Sequence, residues 1–215
     1  MLAIIQARCS SKRFPNKILK KIYGKPLIGH LINRLKKSKK ISKIIVATSK
    51  DKSDDKLIKY LRQIKIKFYR GELNDVASRL LNVAQNQKKK SFIRINGDSP
   101  LIDPNIIEKA IRIFKKNSKY HLITNVFPRT FPKGQSVEII NTQILKKNIL
   151  KMSTIEREHV TKFFYKNSNY FLIKNFVFRN KKKNIKLAID NKKDLGNILK
   201  RIKKNEFKKY SILDL

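Results

Sequence analysis

The sequence predicts an α/β fold of three layers, αβα, with a mostly parallel sheet between helices. Three observations predict it. Short apolar runs of strand length alternate with segments whose apolar residues recur at helical spacing. Several of those segments open on helix-capping residues. Only 6 glycines and 6 prolines interrupt 215 residues, and no internal repeat or linker composition is present, so one domain over residues 1–215 is expected.

The elements follow in order. Residues 2–6 read as a buried strand, and a loop rich in Ser, Arg and Lys follows. Residues 26–37 carry Leu27, Ile28, Leu31, Ile32 and Leu35 at helical spacing. Residues 41–48 hold the apolar run Ile44, Ile45, Val46, Ala47, a second strand. Residues 54–63 place Leu57, Ile58 and Leu61 on one helical face, 67–70 form a short strand, and 74–87 a helix. The strand at 91–96 runs into Gly97-Asp98-Ser99-Pro100. Asp103 followed by Pro104 is start chemistry for the next helix. Residues 127–140, with Pro128, Pro132 and Gly134, predict a loop and a strand at the sheet edge. Ser153 with Glu156 predicts a capping box for a helix at 155–165. Residues 187–189 read as the last strand, and Asn191 with Asp194 as a cap for the C-terminal helix.

Composition bounds the function. The lone Cys9 can form neither an intramolecular disulfide nor a cysteine-based zinc site by itself, which suits a reducing cytoplasm. The opening apolar run is far shorter than that of a signal peptide, and no run approaches membrane-span length. A cytoplasmic location with no membrane span is therefore expected. The net charge of +38 admits two readings, a nucleic-acid partner or a lysine-rich surface. Lysine is spread along the chain, in runs such as 88–90 and 181–183, and not gathered into one stripe, which favours the surface reading.

In open α/β sheets, ligands gather beyond the carboxyl ends of the strands. The ends to inspect are Gln6, Asn96 and Ile189. After Gln6 come Arg8, Ser10, Ser11, Lys12, Arg13 and Lys17, side chains able to wrap a polyphosphate. The Walker pattern is absent, and a basic loop in so basic a chain is equally readily a solvated one. After Asn96, Gly97 allows close approach of a ligand, and Asp98 puts a carboxylate at the active edge. After Ile189, Asp190 does the same. One or two carboxylates plus substrate phosphates are the usual ligands of Mg²⁺, so a Mg²⁺-dependent phosphoryl-transfer site is plausible on residue chemistry alone. His30 and His121 have sufficient structural explanations. His159 is equally a packing residue and a sugar-orienting or basic one. No Cys–His partnership makes Cys9 a convincing nucleophile.

Taken together, these motifs resemble the sugar cytidylyltransferases, a group that includes the CMP-sialic acid and CMP-3-deoxy-manno-octulosonate synthetases. The nearest branch is the spore-coat polysaccharide biosynthesis protein F type. Four segments carry the resemblance: Ile-Ile-Gln-Ala-Arg-Cys-Ser-Ser-Lys-Arg-Phe-Pro-Asn-Lys (4–17), Arg-Ile-Asn-Gly-Asp-Ser-Pro-Leu-Ile-Asp-Pro (94–104), the stretch 125–134 with the later Val137-Glu138, and Glu-Arg-Glu-His-Val-Thr (156–161). They span nearly the whole chain in order.

The resemblance implies a GT-A-like (Rossmann-like) nucleotidyltransferase that moves CMP from CTP to an acidic or modified sugar. It implies Arg8, Ser10, Arg13 and Lys17 at the triphosphate, with Gly97 close by and Asp98 and Asp190 on Mg²⁺. Arg13, Lys17 and Asp98 would be catalytic. Arg70, Gly71, Asp75 and Arg79 would lie near the base, and Glu138, Arg157 and His159 on the sugar side. Such synthetases are often dimers, and residues 127–140 can project towards a partner. The chain departs from the pattern at Asn16, where glycine is common, at Ser99 for a frequent Cys, and at Asn191-Lys192-Lys193 for Thr-Pro-Glu. The Asn16 departure predicts a loop that turns differently, and with it a chain that binds nucleotide without turning it over stays open. Other nucleotides or glycosyl transfer on the same fold are also open. A nonenzymatic nucleic-acid binder leaves Asp98 and Asp190 unexplained.

Overall fold

The computed structural model describes residues 1–11, 13–178 and 185–212. Lys12 and the lysine run 181–183 lie outside the described residues. The first half alternates strand and helix: β1 (Leu2–Gln6), a two-residue hairpin of β2 (Lys21–Ile22) and β3 (Lys25–Pro26), α1 (Leu27–Lys36), β4 (Lys43–Ser49), α2 (Asp55–Gln63), β5 (Lys67–Gly71), α3 (Val76–Asn86), β6 (Ser91–Asn96) and α4 (Pro104–Lys116). There follow β7 (Leu122–Thr124), β8 (Glu138–Asn141), α5 (Thr142–Asn148), α6 (Thr154–Glu158), α7 (Thr161–Lys166), β9 (Ile173–Asn175), α8 (Lys192–Arg201) and α9 (Lys204–Phe207).

One sheet runs β5-β4-β1-β6-β8-β7-β9. Pairing is parallel from β5 through β6 and between β7 and β9, and antiparallel on both sides of β8. Alternation along β1 makes the layers visible. Ala3 and Ile5 join a core with Leu31 of α1, Leu61 of α2 and Ile107 of α4. Leu2 and Ile4 point the other way, to a core with Leu80 of α3, Leu145 of α5 and Phe164 of α7. Burying both faces of β1 explains why its sequence reads as an unbroken apolar run. Asp103 caps α4, accepting the Asn105 N–H at 2.8 Å, and its other oxygen accepts the Ile212 N–H at 3.1 Å. His30 contacts the Ile22 carbonyl at 2.7 Å, and His121 Nδ1 accepts the Leu172 N–H at 3.1 Å, so both are structural.

Three expectations need correction. The strand within 127–140, β8, is interior, because Ile139 faces one core and Ile140 the other. The edges are β5 and β9. The helix expected at 155–165 is two helices, α6 and α7, broken at His159, whose φ/ψ of −109/63 leaves the helical region. The capping box of Ser153 and Glu156 is present as expected. Residues 187–189 join no strand. They are held by other bonds: Leu187 and Ala188 donate to the Lys133 carbonyl at 2.7 and 3.0 Å, and Ile189 donates to the Asp98 carbonyl at 3.0 Å.

That last contact sets Asp190 beside Asp98, and it depends on Gly134. Gly134 has φ of +99, and a Cβ there would meet Ala188 N and Leu187 C at 2.5 Å. No helix among the described residues is long and apolar enough to cross a membrane. No described lysine is buried, so the described lysines lie at the surface.

Gly134→Ala is expected to destabilise the protein by about 1–3 kcal/mol. The thermal midpoint should fall by roughly 2–10 °C. An unchanged melting curve would contradict the packing of Gly134 against 187–188.

Candidate active site

Strands β1 and β6 run side by side and end in register at Gln6 and Asn96. A cleft of about 880 Å³ opens beyond these ends. Gly97 permits it. Its N–H donates to the Gln6 carbonyl at 2.8 Å, and a Cβ would stand 2.9 Å from both that oxygen and Ala7 Cβ. Only glycine lets β6 leave the sheet so close to the start of the basic loop.

The basic loop is pinned from within. Cys9, Phe14 and Ile18 are buried, and the Cys9 carbonyl accepts the Ser11 and Asn16 N–H groups at 2.8 and 2.9 Å. Asn16 has φ of 56, the left-handed conformation glycine would take and asparagine tolerates. The departure at Asn16 therefore preserves a glycine-like turn, against the expectation of a different one. The loop presents Ser10, Arg13 and Lys17 to the cleft. The Ser10 hydroxyl is buried, and among the described residues it has no hydrogen-bond partner. Burial, then the Asp54 carboxylate, push the Cys9 thiol up to about 12, so it stays protonated at neutral pH.

Asp98 and Asp190, distant in sequence, converge on one cation. Lys17 Nζ lies 2.9 Å from Asp98 and 3.8 Å from Asp190, and Arg13 lies 3.8 Å from Asp190. Lys186 reaches Asp190 at 2.7 Å. Burial alone would raise the Asp190 carboxyl, but the Lys186 hydrogen bond and the Lys17, Lys186 and Arg13 charges outweigh it. The group is held below its ordinary range and is ionised at neutral pH. On the opposite wall Arg8 pairs with Glu158 at 2.6 Å, and His159 is exposed at the break between α6 and α7.

Among the expected site residues, Arg8, Ser10, Arg13, Lys17, Arg79, Gly97, Asp98, His159 and Asp190 come together around the cleft. Five others stand behind it. Arg70 is engaged at the β4–α2 junction, donating to the Ser49 and Asp51 carbonyls at 2.9 and 3.0 Å and pairing with Asp55 at 2.8 Å. Gly71 makes room for Arg79, whose Cγ a Cβ would approach to 2.8 Å. Buried Arg79 donates to the Glu72 and Leu73 carbonyls and so shapes a loop whose Leu73 and Asn74 line the cleft. Asp75 caps α3 and pairs with Arg157 at 2.7 Å, tying α3 to α6 beneath Glu158 and His159. Glu138 is buried. One carboxylate oxygen pairs with Arg94, and the other accepts the Tyr165 hydroxyl at 2.6 Å. Arg94 lines the cleft and donates to Gln6 at 3.0 Å, so Glu138 acts on the cleft through it.

Glu158, Arg94, Leu73 and Asn74 were not singled out from sequence. Arg94 and Glu158 lie inside quoted motifs, adjoining Asn96 and His159, and were passed over for more conspicuous neighbours. Leu73 and Asn74 carry no pattern of their own.

A cytidylyltransferase family model matches residues 2–212. The chain belongs to the cytidylyltransferase family. An uncharacterised protein of Methanocaldococcus jannaschii is 34% identical over 199 residues, covering 90% of this chain and 79% of its own. Spore coat polysaccharide biosynthesis protein SpsF of Bacillus subtilis is 31% identical over 169 residues, 75% of this chain and 68% of its own. The 3-deoxy-manno-octulosonate cytidylyltransferase of Geobacter sulfurreducens is 32% identical over 117 residues, 54% of this chain and 45% of its own. A cytidylyltransferase structure from Leptospira borgpetersenii superposes with a TM-score of 0.90 at 29% identity, over 99% of this chain and 91% of that one.

Glu158 accepts a hydrogen bond from Arg8 Nη2 and lends the cleft a negative charge. For this partly exposed pair the coupling is about 0.2–1 kcal/mol. Glu158→Gln is expected to tighten binding of a nucleoside triphosphate by up to about fivefold, measured by calorimetry. Weaker binding would show that Glu158 supports the ligand instead of competing with it.

Proposed function

We propose that the chain transfers CMP from CTP to a hydroxyl of an acidic or otherwise modified sugar, with release of pyrophosphate, in the building of a surface polysaccharide or glycan. The convergence of Asp98 and Asp190 on the Lys17 ammonium, beside a loop whose buried Ser10 hydroxyl has no partner among the described residues, carries this reading. Family membership and the names of the relatives support it.

Among the described residues no group of three or more His, Cys, Asp or Glu side chains could hold a metal. Two carboxylates meeting at one cation nonetheless fit Mg²⁺, which takes one or two protein carboxylates and completes its shell with phosphate oxygens and water. Asp98 and Asp190 would hold it. Bound there, Mg²⁺ would neutralise charge on the phosphate oxygens.

The chain's own residues would do the rest. Arg8, Arg13 and Lys17 bind the triphosphate, and Ser10 gains a partner in a phosphate oxygen. Arg13 and Lys17 stabilise the negative charge that builds on the departing pyrophosphate. The loop shaped by Arg79, through Leu73 and Asn74, borders the base. His159, held from behind by the Asp75–Arg157 pair, orients the sugar from the opposite wall. An anomeric hydroxyl then attacks the α-phosphorus directly. Positioning and charge neutralisation carry such a step. The high pKa and burial of Cys9 argue against a covalent intermediate on sulfur.

The reading is tested by pyrophosphate release from each of the four ribonucleoside triphosphates, with Mg²⁺, against a panel of acidic and amino sugars. Release confined to CTP is expected. Equal release from UTP or GTP, or transfer from a nucleotide sugar, would overturn the CTP assignment. Asp98→Asn should lower Mg²⁺-dependent turnover by about 10²-fold or more, and turnover at the wild-type level would remove Asp98 from the metal site.

A further inference from the structure

Asp54 is wholly buried, and among the described residues it has no ion-pair partner. A buried carboxylate without a cation is costly unless hydrogen bonds hold its charge. Asp54 has four. Oδ1 accepts the Cys9 N–H at 2.6 Å. Oδ2 accepts the Ser49 N–H at 2.9 Å, the Thr48 hydroxyl at 2.8 Å and the Ser49 hydroxyl.

Two features separate this residue from an ordinary helix-start aspartate. Asp54 occupies the N-cap position of α2, yet its side chain makes no capping bond there. It is turned inward, forgoing the usual stabilisation of a capping aspartate. Each carboxylate oxygen also takes a backbone N–H from a different segment, Cys9 in the basic loop and Ser49 at the end of β4. An asparagine has only one acceptor oxygen, so its amide nitrogen would face one of those N–H donors.

We propose that Asp54 is the positioning residue of the nucleotide loop, fixing through the Cys9 N–H the path that aims Arg8 and Ser10 into the cleft. This rests on reading the cleft as a nucleotide site. Cys9 lies between Arg8 and Ser10, and its carbonyl in turn holds the Ser11 and Asn16 N–H groups. Asp54 therefore grips the residue from which the rest of the loop hangs. The bond spans 45 residues, so it also ties the loop to the end of β4, where the Ser49 carbonyl accepts Arg70.

Cys9 provides the probe, because it is the single cysteine of the chain and only 2% exposed. The experiment measures its modification by an aromatic disulfide reagent, together with CTP binding by calorimetry, for wild type, Asp54→Asn and Thr48→Val. All are assayed at a temperature where the melting curve shows each fully folded. Because loss of the Asp54 charge by itself lowers the Cys9 pKa, the rate is compared per thiolate, with the Cys9 titration measured in each variant. On that basis Cys9 in Asp54→Asn should react at least about tenfold faster than in wild type, and CTP should bind at least about tenfold more weakly, the scale of one lost charge-assisted hydrogen bond. Thr48→Val leaves both N–H bonds intact and should stay within about twofold of wild type on both readouts. A folded Asp54→Asn with wild-type thiol reactivity and CTP affinity would overturn the proposal.

If Asp54→Asn does not fold, amide exchange in wild type decides. The Cys9 amide should exchange at least about 10³-fold more slowly than in a free peptide, and exchange at the free-peptide rate would overturn the proposal. Failure of wild type to bind CTP would sink the nucleotide reading instead. Thiol reactivity and amide exchange would still decide whether Asp54 fixes the loop.

Discussion

The site depends on one electrostatic convergence, the Lys17 ammonium between the Asp98 and Asp190 carboxylates. It joins three segments that are remote in sequence. Lys17 comes from the loop after β1, Asp98 from the turn after β6, and Asp190 from an extended stretch that belongs to no strand. Each arrives for a separate steric or hydrogen-bonding reason. The parallel register of β1 and β6 sets Gln6 beside Asn96. Gly97 lets the second turn approach the first, and Gly134 lets 187–188 lie against the 133–134 backbone. The ion pairs themselves are partly exposed and contribute little to stability. Packing and backbone hydrogen bonds bring the charges together, and the charges supply the chemistry.

Around that point the cleft is lined by cations that are mostly already engaged. Arg8 is held by Glu158, Arg94 by Glu138 and Gln6, and Arg79 by two carbonyls. For Arg94 and Arg79 such engagement limits side-chain motion before a ligand arrives, which lowers the entropy cost of binding a triphosphate, whereas the Glu158 carboxylate on Arg8 competes with the ligand. Asp54 holds the loop on one side, and the Asp75–Arg157 pair holds α6 on the other.

Much of the fold was legible because its first half obeys local rules. Apolar runs gave β1, β4 and β6, helical spacing gave α1 and α2 to within a few residues, the helix expected at 74–87 is α3, and the Asp103-Pro104 start chemistry marked the beginning of α4. What eluded the sequence was decided by tertiary contacts. β8 is four residues long and follows an irregular stretch, so nothing local marks it as interior. The break at His159 has no glycine or proline to announce it. The stretch 187–189 has strand composition but finds its partners in the Lys133 and Asp98 carbonyls. The charged loop and the paired aspartates stood out because they sit at strand ends. Arg70, Asp75, Glu138 and Arg157 carry equally suggestive chemistry, but their geometry places them behind the cleft. Asp54 went unnoticed because an aspartate at a helix start already has an explanation, and only its inward turn sets it apart.

The most direct test of the account is a crystal structure of the chain with CTP and Mg²⁺. Phosphate oxygens are expected on Ser10, Arg13 and Lys17, and a cation between Asp98 and Asp190 with the Lys17 ammonium shifted onto the phosphates. A triphosphate bound elsewhere, for example in the groove beside Lys109, Arg112 and Lys174, or a cation bound without Asp98 and Asp190, would contradict it.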